Sequence, residues 1–165
     1  MLPSADVIHA VADLFCEAYE GPQDPSSTWF TDNQPGSGVL GTLDSLSSVQ
    51  ASTPLGGSGA PQQGATIAAH AEHLRWSLAL SNALARGEQP EGDWEQSWSV
   101  RTVTTAEWER LRTALRQEYT SLLQAIQARS DLPAEMVTPG IAIVAHGAYH
   151  LGAIRQMVRL LEAAV

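Results

Sequence analysis

The chain has no lysine. All nine of its basic residues are arginines, they are scattered, and against 18 acidic side chains they leave a formal net charge of -9. Tracking a phosphate backbone or an anionic bilayer requires clustered cations, so neither nucleic acid nor a membrane surface is expected as a partner. A single cysteine, Cys16, excludes an internal disulfide framework and any multi-cysteine zinc site. No uninterrupted apolar run reaches the roughly 18 residues that read as a membrane span. The N-terminus also lacks the basic start and apolar core of a secretion signal. A soluble, cytoplasmic protein is the expectation. No strand-length alternation and no internal repeat occurs in the 165 residues.

What is present is helical periodicity. The length and a 44% hydrophobic content fit one folded domain over residues 1–165. A first helix starts with Ser4 as cap, carries the stripe Val7, Val11, Leu14, Phe15 and Ala18, and stops at Gly21-Pro22. His9 and Cys16 point away from that stripe. Residues 21–60 form a long Gly-, Pro-, Ser- and Thr-rich connection with a short helix expected over Thr42–Val49 and a flexible Pro54–Gly59 lead. A second helix is expected from about Pro61 to Arg86, its inner positions including Ile67, Leu74, Leu78 and Ser81 on one side and Leu80 and Leu84 on the other. A segment holding Trp94 and Trp98 follows, two indoles of the kind that anchor a polar loop. Thr104 and Glu107 form a capping box that opens a third helix, with the stripe Trp108, Leu111, Leu115, Tyr119, Leu122 and Ile126, ending near Ser130. Thr138-Pro139 reads as the start of a fourth helix running to about Glu162. The fold class is all-α, and four amphipathic helices in one domain make a four-helix bundle.

The chemistry-bearing residues are histidines. His146 and His150 lie four apart on the fourth helix, hence one turn apart on one face, within the apolar stripe Ile143, Gly147, Ile154, Met157, Val158 and Leu161. His70 and His73 lie on the inward side of the second helix, His70 nearer the centre of its face and His73 on the flank. Several neutral imidazoles buried with no acidic partner would leave donors and acceptors unpaired, at roughly 1–3 kcal/mol each. A cation that accepts their lone pairs removes that penalty.

The segment Thr66-Ile-Ala-Ala-His-Ala-Glu-His73-Leu, with His146-Gly-Ala-Tyr-His150-Leu-Gly-Ala-Ile-Arg-Gln far downstream, resembles the DinB/YfiT-like family over nearly the whole chain. The resemblance implies a bundle with up-down-down-up topology, a long connection between helices 1 and 2, and a divalent metal on three histidines. One of those ligands comes from the second helix and two from the fourth. His146 and His150 match the fourth-helix pair. The family's second-helix ligand sits seven residues after the residue that opens the motif, which from Thr66 is His73. Periodicity favours His70, which is the alternative, a neighbouring support or a fourth ligand. Many relatives carry Arg-Gly-Gln after the last histidine where this chain has Leu151-Gly152-Ala153, which weakens the transfer of substrate-contacting roles to those positions. Arg155 and Gln156 follow one turn later, to serve the site or face solvent.

Three neutral imidazoles suit zinc, nickel or iron, leave positions open, and lower the pKa of a bound water or thiol. Characterised relatives include thiol S-transferases, so a small thiol attacking an electrophilic substrate is the leading expectation. A hydrolase activating water, and a non-enzymatic metal-stabilised stress-response or binding module, are the alternatives. The 21–60 connection and the Trp94–Trp98 segment are the expected pocket walls. Tyr149 is expected in the core and Glu72 in solvent. A homodimer is a further expectation, with Trp76 or Trp108 at its contact.

Overall fold

The computed structural model describes residues 4–55 and 65–163. Among these residues there are six α-helices, one 3-10 turn and no strands. The helices are α1 (Ser4–Glu20), α2 (Val39–Asp44), α3 (Ser48–Ser52), α4 (Ile67–Ala85), α5 (Thr105–Gln127) and α6 (Ala134–Ala163), with the 3-10 turn at Gln96–Trp98. The all-α class is therefore observed. The four long helices enclose the core: α4 packs along α5 and touches α6, while α1 packs against α5 and α6.

Local chemistry sets most boundaries. The Thr104 hydroxyl accepts from the Glu107 N–H and the Glu107 carboxylate accepts from the Thr104 N–H, the predicted capping box. α4 closes as expected, with Gly87 at a φ of +79° and the Glu88 N–H returning to the Ala83 carbonyl at 3.0 Å. Gly21 ends α1 at a φ of +98°, and a Cβ there would lie 2.8 Å from the Ser37 backbone nitrogen.

Other boundaries differ from the sequence reading. α4 begins at Ile67, not near Pro61, because Thr66 is extended and its hydroxyl caps the Ala69 N–H at 3.2 Å. Residues 61–64 and most of the Pro54–Gly59 lead lie outside the described residues. The short helix expected over Thr42–Val49 is two helices, since Ser47 forms its own capping box with Gln50 and starts α3. α6 starts at Ala134 rather than at Thr138-Pro139, so Pro139 lies inside the helix. A proline this close to a helix start removes one N–H···O bond and leaves the other turns intact. α6 is also long and apolar enough to cross a membrane by length and composition, though its apolar runs are all far shorter than the roughly 18 residues of a span.

The core joins Phe15, Tyr19 and Tyr119, whose ring centroids lie 4.8–5.2 Å apart. Gly147 brings α6 against α1, and a Cβ there would meet Tyr19 Cε2 at 2.8 Å. Trp108 is buried in the core, its indole N–H donating to the Leu46 carbonyl at 2.8 Å. It therefore offers no surface to a second copy of the chain. Leu84, expected to face inward, is 57% exposed.

The described part of the long connection is pinned by Glu17. Its buried carboxylate accepts the N–H groups of Trp29, Phe30 and Thr31 and the Thr31 hydroxyl at 2.8–3.0 Å. Burial raises the pKa of this carboxyl, but the donors outweigh it and hold the group below the ordinary carboxylate range. Arg155 ties the same connection to α6 through Asp32 at 2.9 Å and the Ser37 carbonyl at 2.7 Å.

Candidate metal centre

α4 and α6 bring three imidazoles together. His73, His146 and His150 each offer a ring nitrogen within 4.8 Å of the others. The Nε2 of His146 lies 3.1 Å from that of His73 and 3.0 Å from that of His150. A tetrahedral zinc with Zn–N bonds of about 2.0–2.1 Å places donor nitrogens about 3.3 Å apart, so this spacing accepts a metal with little movement. His73 and His150 are buried and His146 is half-buried.

The far nitrogen of each ring is also engaged. The Ser97 hydroxyl donates to the Trp94 carbonyl at 2.6 Å, so its lone pair is what accepts from His73 Nδ1 at 2.8 Å. This places a hydrogen on His73 Nδ1 and leaves a bare lone pair on its Nε2. His146 Nδ1 faces the Ser77 hydroxyl at 3.4 Å, and His150 Nδ1 lies 2.8 Å from His70 Nδ1. Outer partners of this kind fix tautomer and ring orientation at metal sites. His70 thus stands behind His150, whose outer nitrogen it contacts, while the cluster of converging donors is His73, His146 and His150.

The tautomer of His73 has a consequence. If His146 Nε2 is protonated, it donates to His73 but has no lone pair left to receive His150. If it is bare, it receives His150 but faces the His73 lone pair at 3.1 Å. Neutral rings can form at most one well-aligned hydrogen bond across the two short contacts. Adding a proton is opposed by burial, which pushes His150 down to about 2 and His73 down to about 4, with the neighbouring histidines adding to the shift. Burial also lowers His146. A bound cation satisfies all three lone pairs at once, and the donor set fits one.

The Trp94–Trp98 segment covers the cluster. The Trp98 ring stacks on His73 with centroids 4.0 Å apart and an angle of 12°, and Trp94 meets the same ring edge-on at 4.6 Å. Sequence reading had no signal for the role of Ser97, a buried serine between two tryptophans. The described part of the other expected wall, residues 21–55, docks on α1, α5 and α6 through the Glu17, Trp108 and Arg155 contacts above. Two further expectations are corrected. Tyr149 is 70% exposed, not core, because its position on α6 is turned about 100° from His150, although the ring edge still meets His150 at 5.0 Å. Glu72 is half-buried and accepts two hydrogen bonds from Arg75 at 2.7 Å. Gln156 is exposed, and Arg155 serves the connection described above.

No family model, curated protein or solved structure matches the chain. The functional reading therefore rests on the site itself.

Proposed function

We propose that the protein is a metal-dependent enzyme of the DinB/YfiT-like kind, with His73, His146 and His150 as metal ligands and a small thiol as the attacking substrate. The observation that carries this reading is the convergence of three Nε2 lone pairs with no carboxylate among them. The pairwise packing of α1, α4, α5 and α6 supports a four-helix bundle, in the up-down-down-up order that the resemblance implies.

When bound on three neutral ligands, a divalent ion keeps its full charge and open positions and so lowers the pKa of a thiol or water beside it. The chain's own residues prepare that place. Ser97 holds His73 in the tautomer that faces inward, and His70 supports His150 from behind. Trp98 and Trp94 lie against His73 and restrict water on that side. His70 being turned to the outer nitrogen of His150 also favours an open three-ligand site over a closed structural one.

The test is metal analysis of protein purified without a nickel column, followed by turnover of monochlorobimane with and without added thiol. Bound divalent metal and thiol-dependent turnover, both lost in His146→Ala, are the expected results. Turnover of ester or amide substrates that ignores thiol points to the hydrolase instead. Absence of metal in the wild type ends both readings.

A further inference from the structure

Below the histidines, the same helices enclose a second space. The ends of α4 and α5, the start of α6 and the first turns of α1 surround a half-enclosed cavity of about 110 Å³. Its walls are apolar, with Val11, Leu122, Ile126, Met136 and Ile143 among them, and Arg129 is the one charged residue on its lining. Nothing in the metal centre uses this space.

Three observations define what fits there. Water in a half-open apolar pocket of this size finds few hydrogen-bond partners, and a hydrocarbon that displaces it gains contact with the lining atoms. Arg129 is half-buried, and among the described residues it makes no ion pair. Met136 and Pro139, in the first turns of α6, also line the cavity, so the positive end of a 30-residue helix lies on the same side. Glu135, in the first turn of α6, answers the helix end in part but is not on the lining, so Arg129 is the charge that faces an occupant.

We propose that this cavity binds a short-chain monocarboxylic acid, its hydrocarbon tail among the α1, α4, α5 and α6 side chains and its carboxylate on Arg129. The guanidinium supplies a charge-assisted hydrogen-bond donor. The tail replaces void with dispersion contact. Ser81 lines the cavity one turn from Ser77, and its hydroxyl donates to the Ser77 carbonyl at 2.9 Å. An occupant therefore sits against the turn whose hydroxyl faces His146. The inference stands independently of the metal reading.

The test is calorimetric titration of the full chain with hexanoate and, separately, with hexanol. Hexanoate is expected to bind at one site and more tightly than hexanol, and Arg129→Gln to weaken hexanoate at least about tenfold while leaving hexanol unchanged. Ala125→Phe and, as a second filling variant, Ala85→Leu should each abolish binding of both, with circular dichroism confirming the fold. Hexanoate that binds the filled variants undiminished sits elsewhere, on the metal for instance, and overturns the proposal. So does equal affinity of the wild type for acid and alcohol, or no hexanoate binding at all.

Discussion

The same four helices build two unlike chambers a few turns apart. At one level α4 and α6 turn four imidazoles inward, and every ring nitrogen on the three converging histidines has a polar neighbour. At the other level the same helices present leucine, isoleucine and methionine around a void with one cation on its lining. Ile143 lines the apolar level and His146, one turn later, belongs to the polar one. The difference teaches where specificity resides in such a core. Burial is common to both levels. What distinguishes them is whether the buried groups carry directional lone pairs, which fix geometry, or only shape, which tolerates a range of occupants.

Experiments can break that contrast. The largest effect is expected from His150→Ala: metal binding should fall at least a hundredfold, with hexanoate affinity unchanged, measured by metal analysis and calorimetry side by side. Coupled loss of both would show that the two levels are one site.

Acidification of the metal-free protein comes next. The folded-state values of His150 and His73, about 2 and about 4, lie below the ordinary value near 6.5, so the unfolded chain takes up protons first. Their contribution is complete above about pH 6.5 and is lost as pH falls, toward about 4 for His73 and toward about 2 for His150. Glu17, also held low, adds its loss only below the ordinary carboxylate range near 4.5. Urea midpoints from pH 7.5 to 4.5 should therefore fall steeply in the wild type and less in His73→Gln. Equal slopes would remove His73 as a cause.

Leu122→Ala enlarges the apolar level and should cost about 3 kcal/mol in urea unfolding while sparing metal affinity. Gly147→Ala, which drives a methyl group toward Tyr19 between α1 and α6, should cost about 1–2 kcal/mol. A neutral result there would mean that the two helices separate easily. The smallest change is expected for Ser97→Ala, about tenfold in metal affinity with little change in stability, because His73 loses the acceptor that sets its tautomer.

The helical class, the stripes of α1 and α5 and the Thr104–Glu107 and Gly87 boundaries were legible because they depend on residues three or four apart. The His146–His150 pair was legible for the same reason. Choosing between His70 and His73 required more. Periodicity preferred His70, yet in the fold both rings face α6 and the choice follows from which of their nitrogens reaches the Nε2 atoms of His146 and His150. That depends on the offset between two helices whose histidines lie more than 70 residues apart in sequence, which no local pattern encodes. The start of α6 was missed because Thr138-Pro139 imitates a helix start so well, and a proline near a helix start permits either reading.

By itself, the sequence determined which residue types were available: no lysine, one cysteine, and imidazoles at helical spacing on apolar faces. Only the tertiary structure decided that Ser97 would stand behind His73, that Glu17 would gather the Trp29–Thr31 backbone, and that Arg129 would line a void. Each of these is a contact between distant segments, set by how helices dock and not by any residue's neighbours in the chain.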